Sequence, residues 1–423
     1  MIKRSLAHGA AMILLAAALP TFAAELPATE SSAAPTLTPT QLASLAKQVT
    51  DSLGLQFDGY LRSGFYDGSG SNHKQQYQLG GDLQHYRLGN EGDTYLEFGV
   101  GKQWDAGDGV KWGVYAMPSW YNGTQSTKQL YGTLSGLPFA PQATLWAGQR
   151  YHRIQDIHIV DNWLMQDGDN YGAGIDNLAV GAASLNLALY SSGSYDNNNT
   201  TIDNARRFNF QLTRIPVNSG GTLSLTGALV HGDFAIGKSG GALGLLHSQK
   251  DFLHSGLNNS LFLQASTGHA ALTGEFYNLD NNGAAQEGAR QQRIAEVLNW
   301  QVGRFGGQAL ASYQRVAPDI AAAWRDSSVG GRVSYGLSQH VKLLAEAGLT
   351  ARAIDNQPTQ HLNKVTLAVA LSPDTAFWTR PEIRLYASRF NWNDAAASAN
   401  AGTFGADGQT HANTVGIQLE TWW

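Results

Sequence analysis

Aromatic and charged side chains share one face of several predicted strands. Three groups show the pattern: Asp58, Tyr60 and Arg62; Tyr95 and Glu97; and Gln418, Glu420 and Trp422. Because successive side chains of a strand point to opposite faces, the members of each group lie on the same side of the sheet. Aromatic rings offer apolar surfaces and the ionisable groups offer hydrogen bonds, so these faces suit noncovalent binding.

Motifs for covalent or metal chemistry are missing from the sequence. There is no nucleophile elbow, HExxH motif or phosphate-binding loop, and serine and histidine residues are scattered. The chain has no cysteine, and Asp156 and His158, with His152 and Asp161 nearby, match no known metal-ligand spacing. We therefore predict no enzymatic activity, no cofactor and no metal site. The formal net charge of −5 also argues against a nucleic-acid partner.

The N-terminus is typical of a secretory signal peptide. Lys3 and Arg4 precede a short apolar run that ends in small residues, which predicts a signal peptide over residues 1–24 with cleavage after Ala23 or Ala24. The apolar run is too short to cross a bilayer as a helix, for which about 20 residues are needed. The mature chain is therefore expected to leave the cytoplasm.

Residues 25–54 form a segment rich in Ala, Thr, Pro and Ser. Thr38 and Pro39 predict a helix start, and Leu42, Leu45 and Val49 follow at spacings of three and four. Two interpretations stay open: a flexible periplasmic extension with a short helix, or a short coiled coil that joins subunits.

From Leu55 to the last residue, segments of about ten residues alternate apolar and polar side chains, and turn residues separate them. The turns alternate between tight and long. This pattern, with the secretion signal, predicts an all-β protein: a transmembrane antiparallel β-barrel formed by residues 55–423. The barrel must close, since an open edge in lipid leaves backbone groups unpaired. Its 369 residues allow about 16 to 18 strands.

Five sequence blocks resemble the maltoporin family, the sugar-specific porins of the Gram-negative outer membrane. The blocks are FDGYLRSG with GSGS behind it (57–71), YRLGNEGDTYLE (86–97), LWAGQRYHRIQDIHIVD (145–161), FWTRPEIR (377–384) and the terminal LETWW. The resemblance covers nearly the whole chain after Leu55. It implies an 18-stranded barrel, a homotrimer in the outer membrane, and a third loop that folds into the lumen as a constriction, from Gln149 to about Gly168.

The resemblance also implies a passive channel for maltose, maltodextrins or related oligosaccharides. Its aromatic slide, along which sugar rings move, corresponds to Tyr60, Tyr95, Trp378 and Trp422. Its polar track, which exchanges hydrogen bonds with hydroxyl groups, corresponds to Arg62, Arg87, Glu97, Lys128 and Asp161. The apolar faces and hydroxyl belt of a pyranose fit rings and charged groups, and several weak sites in series allow conduction.

Several positions depart from the family pattern. In the constriction loop, Ile154, Trp163 and Gln166 replace an arginine, a tyrosine and an aspartate, which changes the width and hydrogen bonding expected there. Leu257 stands where the family has a slide aromatic, and no Trp after Trp120 matches the one that a neighbouring subunit contributes. Gly92 occupies one of the two positions of the cysteine pair found in typical maltoporins. The choice of saccharide therefore does not follow from the resemblance.

Other functions and positions stay open on the sequence alone. The main alternative is a general diffusion porin, which filters by size and charge and has no saccharide site. A receptor or adhesin is a further alternative, and phages can use outer loops as receptors. The lipid and lipopolysaccharide of the outer membrane are expected to surround the barrel. Trp378 is expected in the lumen, and its neighbour Phe377, of opposite parity, at the membrane interface.

Overall fold

The computed structural model describes residues 38–69, 76–166, 170–192, 205–279, 285–405 and 408–423. The predicted signal peptide and the first part of the predicted extension lie outside these residues, as does the end of the predicted constriction loop at Gly168. The helix predicted after Thr38 is present as α1 (Pro39–Ser52). Over the described residues, no helix is both long and apolar enough to cross a membrane.

The rest of the chain is dominated by strands, as the alternating pattern predicts. Those before the middle of the chain are β1 (Leu55–Gly68), β2 (Tyr95–Asp105), β3 (Lys111–Tyr121), β4 (Thr124–Leu137), β5 (Ala140–Arg150), β6 (Arg153–Ile157), β7 (Asn162–Gln166), β8 (Asn170–Val180), β9 (Ala183–Ser191) and β10 (Arg206–Asn218).

The second half continues in the same way, with two short helices before the last strand. Its elements are β11 (Gly221–His231), β12 (Gly240–Gln249), β13 (Leu257–Gly268), β14 (Ala289–Val302), β15 (Phe305–Pro318), β16 (Trp324–Gly336), β17 (Val341–Ile354), β18 (Gln360–Leu371), β19 (Glu382–Trp392), α2 (Asp394–Ala399), α3 (Ala401–Phe404) and β20 (His411–Trp422).

Eighteen of these strands form one closed antiparallel sheet, which confirms the predicted barrel. Each strand pairs with its neighbours along the chain, and β6 and β7 form a separate hairpin between β5 and β8. The sheet closes where β1 pairs with β20, with Tyr60 opposite Trp422 and Gly68 opposite Thr414. Closure pairs the backbone groups of the two edge strands, and a sheet is stable in lipid only when no edge is left unpaired.

The two faces of the sheet differ in polarity along each strand. In β18, Lys364 and Thr366 point inward and are buried, whereas Val365, Leu367 and Val369 are exposed on the outside. Such alternation is expected when one face meets lipid and the other a polar interior.

The connections between strands alternate between short and long. Strands β8 and β9 join by a tight turn, whereas β5 and β8 are separated by the inward hairpin.

Three connections at the long-loop end fold into the barrel. They are the hairpin of β6 and β7, the segment 77–94 between β1 and β2, and the segment 269–279 between β13 and β14. One apolar cluster joins the first two to the wall; its buried members include Leu83, Tyr86, Ile157, Ile159, Leu164, Leu246, Phe262, Val297 and Leu310. The sequence resemblance predicted only the first of these three.

Tyr86 docks the 77–94 segment where two strands carry glycine. Its ring lies so close to Gly330 and Gly348 that a Cβ at either position would clash with it. Its hydroxyl lies 3.1 Å from Oγ of Ser328, and its side chain is almost fully buried. The two glycines therefore provide the space in which this segment sits.

We predict that Gly348→Val displaces Tyr86 and loosens the 77–94 segment. Loss of a buried aromatic contact costs about 3–5 kcal/mol, so Arg87, now fully buried, becomes accessible to trypsin. Ala347→Val is the matched control, because Ala347 is the exposed, outward-facing neighbour. Limited proteolysis followed by mass spectrometry measures cleavage after Arg87, and equal resistance in both variants would contradict this account of the docking.

Candidate functional site

The hairpin of β6 and β7 forms a constriction inside the barrel. Between its strands, a turn of 3₁₀-helix (His158–Val160) ends at Asp161, which has φ 52°. The wall holds the hairpin through polar contacts as well as the apolar cluster. Gln308 accepts a hydrogen bond from the backbone N of Ile159 at 3.0 Å, and Gln264 donates to the carbonyl of Leu164 at 2.7 Å.

The segment 269–279 supports the constriction from the other side. The backbone N of Gln166 donates to the carbonyl of Thr273 at 3.0 Å, and its side-chain amide donates to Glu275 at 3.0 Å. Gln166 also accepts a hydrogen bond from Nε of Arg153 at 2.9 Å. Gln166 thus fixes the end of the hairpin and connects it to two charged side chains.

Five aromatic residues follow one another along the lumen next to the constriction. Trp378 lies 6.4 Å from Trp422, and Tyr60 stands opposite Trp422 in the register of β1 and β20. Tyr60 lies 6.1 Å from Tyr95, and Tyr95 lies 6.3 Å from Tyr121, as ring centroids. We call these five residues the aromatic track. It contains all four predicted slide residues, and it gains Tyr121.

Arg62 lies within a set of carboxylates beside the track. It donates to Asp93 from Nε at 2.8 Å and from Nη2 at 2.7 Å, and to Asp161 from Nη1 at 2.7 Å. Its guanidinium carbon lies 5.4 Å from the ring centroid of Tyr95. Arg62 therefore holds Asp161 of the constriction close to the barrel wall.

Arg87 is fully buried and contacts the track directly. It donates to the hydroxyl of Tyr60 at 2.5 Å, to Glu91 at 2.7 Å, and lies 3.0 Å from Glu420. Its Nη1 is 3.2 Å from Nδ1 of His158. Since Arg87 is 2% exposed, its hydrogen bonds are made within the protein rather than with solvent.

Glu420 joins the track to the neighbouring strand and turn. It is fully buried and forms ion pairs with Arg380 at 2.9 Å, with Arg87 and with Arg384. Arg380 lies over the ring of Trp422, with its guanidinium carbon 4.2 Å from the centroid. Such a contact orients the indole and is favourable when it is shielded from water.

The constriction differs in detail from its sequence prediction. Ile154 packs against the apolar cluster rather than lining the lumen. The preceding Arg153 lines the lumen instead, with its guanidinium carbon 3.9 Å from the ring of Tyr151 and 5.6 Å from that of Trp163. A positive charge is therefore retained in this loop, one residue before the position at which the resemblance predicts its loss.

One cavity of about 580 Å³ lies between the constriction and the track. Tyr60, Tyr95, Tyr121 and Trp422 line one side, and Trp163 and Gln166 lie on the constriction. The ionisable residues of its lining are Arg62, Arg87, Glu97, Arg153, Asp156, His158, Asp161 and Glu275. This volume falls within the range of about 300–1,000 Å³ that is usual for small-ligand sites.

The remaining predicted polar residues differ in their positions. Glu97 lines the cavity and accepts a hydrogen bond from the hydroxyl of Tyr95 at 2.5 Å. In the pairing of β3 with β4, Gln129 and Thr127 each have a partner on β3, whereas Lys128 between them has none, so the register shifts at this residue. Lys128 is not part of the cavity lining. A bulge turns a side chain away from strict alternation, so spacing alone could not place Lys128.

Two apolar residues are not where the sequence analysis placed them. Phe377 is buried against the constriction cluster, 5.0 Å from Trp378, rather than at the membrane interface. It lies in the connection between β18 and β19, where strand parity does not apply. Leu257 shares the outward parity of Leu261 and Leu263, so it does not replace a lumen aromatic. The aromatic residue of this strand that does point inward, Phe262, is covered by the constriction.

Loop residues that the sequence analysis missed also contribute to the site. Tyr121 follows the inward parity of Tyr115 and Ser119, so alternation along β3 could have identified it. It lies at the tight turn from β3 to β4, which leaves no long loop after Trp120. Glu275 and Arg380, by contrast, reach the site through folded connections, and no local signal marked them.

Gly92 has a structural role of its own. A Cβ at this position would clash with the ring of Tyr66, so the ring packs directly against the backbone of the 77–94 segment. Close packing here holds the segment where a cysteine pair would provide a covalent link.

Among the described residues, no group of three or more His, Asp or Glu side chains is arranged to hold a metal ion.

Two carboxylates of the constriction loop, which does not itself span the membrane, have opposite pKa shifts. Desolvation raises the pKa of Asp156 to about 7, and Arg87 only partly offsets it, because Asp161 and Glu420 act in the same direction as burial. Partial desolvation within the constriction also acts to raise the pKa of Asp161, but Arg87 and Arg62 outweigh it and lower the value to about 2. Asp161 is therefore charged at neutral pH, whereas Asp156 titrates there.

One protein family and several solved structures are similar to this chain. The family model described as LamB porin matches residues 55–423. Among solved structures, Pseudomonas aeruginosa OccK3 (OpdO) has a TM-score of 0.51 and 10% identity over 90% of this chain and 99% of that one. OccK10 (OpdN) from the same organism has a TM-score of 0.50 and 11% identity, over 88% and 99%. At these identities the solved structures show the barrel fold alone.

We predict that the cation selectivity of the pore rises from about pH 6 to about pH 8, because Asp156 loses its proton near pH 7. Below this range the carboxyl is neutral, and above it the negative charge favours cations in the lumen. Reversal potentials in a salt gradient measure the selectivity.

Asp156→Asn should remove this pH-dependent component and leave the acidic-side selectivity unchanged. Asp105→Asn, at the tight-turn end of β2, is the control and should keep the wild-type profile. A pH profile that is the same in the wild type and Asp156→Asn would show that another group titrates in this range.

Proposed function

The chain belongs to the LamB porin family, and on this premise we propose that it is a sugar-selective channel of the outer membrane. Its substrates would be maltose, maltodextrins or related oligosaccharides, which diffuse down their gradient without covalent chemistry or a cofactor. We also propose a homotrimer, as the family resemblance implies, with each barrel conducting separately.

The observation that carries the proposal is the aromatic track beside a polar constriction. A pore that filters only by size and charge has no need of aromatic rings in sequence along its lumen. A pyranose ring does, because its C–H faces stack on aromatic rings. Three of the four neighbouring pairs of rings lie 6.1–6.4 Å apart, which lets a sugar pass from one contact to the next, so no single contact has to be strong.

Carboxylates, rather than the predicted arginines, are the groups best placed to meet sugar hydroxyls. Arg62 and Arg87 already donate to protein acceptors, and Arg87 is fully buried. Asp161 keeps 41% of its side chain exposed while Arg62 orients it. Asp156 also lines the cavity; its backbone carbonyl accepts from Gln308 at 3.4 Å, and its carboxylate has no hydrogen-bond partner among the described residues. We therefore assign hydroxyl binding mainly to Asp156 and Asp161, with the arginines as positioning residues.

The track extends towards both mouths of the barrel. Tyr121 lies at the turn between β3 and β4, on the side of the long connections, which face the exterior in outer-membrane barrels. Trp378 lies in the connection between β18 and β19, on the periplasmic side. Sugars arriving from either side would thus meet a ring before the constriction.

We predict that Tyr60→Ala with Trp422→Ala weakens sugar block of the ion current at least about fivefold, since each ring contact contributes about 0.5–1.5 kcal/mol. Planar-bilayer conductance, titrated with maltose, maltotriose and longer maltodextrins, measures the binding constant. Tyr335→Ala removes an exposed aromatic on the outer face and serves as the matched control.

The same titration with sucrose and a β-glucoside tests the substrate class. Block that saturates and strengthens with maltodextrin length supports the proposed substrates. Tyr60→Phe, which keeps the ring and removes the acceptor for Arg87, separates stacking from hydrogen bonding. If no saccharide blocks the wild-type channel, a general diffusion porin is the better description.

A second prediction concerns the two ends of the track. Tyr121→Ala should slow the entry of sugar added on the exterior side, and Trp378→Ala should slow entry from the periplasmic side, since each removes the first ring that the sugar meets. Current-noise analysis with sugar on one side gives the two association rates. Equal effects of each variant on both sides would contradict the directional order of the track.

A further inference from the structure

Arginines on the outer face of the barrel differ in whether they have partners. Near the long-loop end, Arg325 forms an ion pair with Asp355, and Arg389 donates to Asn391 and Asn413 at 3.1 Å each. Arg206 donates to Oγ of Ser191 at 3.1 Å. These guanidinium groups are therefore held by acceptors of the protein itself.

Arg290 and Arg315 lie at the same end and have no such acceptor. Both are exposed on the outward parity of β14 and β15, and neither side chain forms a hydrogen bond or ion pair with any described residue. Glu287, an acid of the described part of the adjoining connection, accepts a hydrogen bond from the backbone N of Ile320 at 3.0 Å and has no ion pair with either arginine. Two guanidinium groups without a protein acceptor among the described residues thus stand side by side.

Register brings these two arginines close together. Arg315 pairs with Gln292, and Arg290 pairs with Ala317, so the arginines are diagonal neighbours across β14 and β15. Diagonal neighbours lie about 7–8 Å apart, a distance that one phosphate between two guanidinium groups can bridge. Arg325 stands directly opposite Arg315 on β16, but Asp355 pairs with its charge.

The depth of this pair in the membrane follows from the same strands. Tyr313 is an exposed outward aromatic, and Arg315 is the next outward residue towards the long-loop end. Aromatic girdles of outer-membrane barrels mark the level of the lipid headgroups. Arg315 and Arg290 therefore lie at or just beyond the headgroups of the outer leaflet.

An apolar groove leads from the arginines into the membrane zone. A cavity of about 590 Å³ on the outer face is lined by Arg290, Arg315, Leu229, Leu243 and Ala265, among others. Leu229 and Leu243 are exposed, and the small residues Gly241 and Ala265 keep the groove concave. A ligand for this surface needs an anionic headgroup at one end and a hydrocarbon chain at the other.

We propose that this groove binds a phosphorylated, acylated glycolipid of the outer leaflet. Its phosphate would lie between Arg290 and Arg315, and one acyl chain would lie along Leu229 and Leu243. Charge complementarity selects an anion, and the position at the headgroup level selects a lipid over a soluble phosphate. The site is on the opposite face of the wall from the sugar track, so it does not depend on the proposed transport function.

Native mass spectrometry of the purified, delipidated protein, titrated with diphosphoryl lipid A, tests this site. We expect Arg290→Gln with Arg315→Gln to weaken binding about tenfold, because two charge-assisted contacts are lost. Arg389→Gln removes an outward arginine of the distant strand β19, whose donors are held by Asn391 and Asn413, and should leave binding near the wild-type value. Ala265→Phe fills the groove with both arginines intact and should also weaken binding.

Three results would overturn the proposal. The first is unchanged lipid A affinity in the double variant, and the second is equal binding of phosphatidylglycerol or competition by millimolar inorganic phosphate. The third is a change in oligomeric state in the double variant, which would make this face a contact between copies of the chain. Heat-modified mobility on gels checks that each variant forms the barrel.

Discussion

A fully buried carboxylate, Glu420, holds together the parts of the lumen that have to stay in register. Three arginines reach it from different places: Arg87 from the inward segment 77–94, Arg380 from the β18–β19 connection and Arg384 from the adjacent strand. Removing a charge from water costs several kcal/mol, so a group like this is stable only when it is fully paired and hydrogen-bonded. Loss of one partner would leave the others uncompensated. The network therefore ties a loop, a turn and two strands to one arrangement.

The same network determines how the aromatic track is presented. Arg380 lies over Trp422, and Arg87 donates to the hydroxyl of Tyr60, so two rings of the track are oriented by groups that Glu420 holds. A ligand that meets rings already in place loses less free energy to ordering them. The side chains of the interior also have few alternative conformations, since three folded connections occupy the barrel. Rigidity of this kind lets many weak contacts act in sequence without any one of them trapping the ligand.

Strand parity predicted the lumen positions on regular strands, and it failed where the backbone leaves regular pairing. Tyr60, Tyr95 and Trp422 lie on well-paired strands, so alternation alone places them inside. Lys128 is at a register shift and Phe377 is in a connection, and neither position obeys a period of two. The inward folding of segments 77–94 and 269–279 depends on contacts with distant strands, such as Tyr86 with Gly330 and Gly348. A single sequence carries no local signal for such contacts, and the number of strands came from the family resemblance rather than from length.

Free hydrogen-bonding capacity separates the charged groups that hold the protein together from those available to a ligand. Arg87, Arg384 and Glu420 are buried and fully engaged with one another, so they fix geometry and have little to offer a solute. Asp156 in the lumen and the pair Arg290 and Arg315 on the outer face have no ion-pair partner among the described residues. The two sets do not differ in residue type, so composition cannot distinguish them. Because an unpaired charge beside an apolar surface is unfavourable unless a ligand or water meets it, these positions are where we propose that charged groups of the barrel meet a ligand.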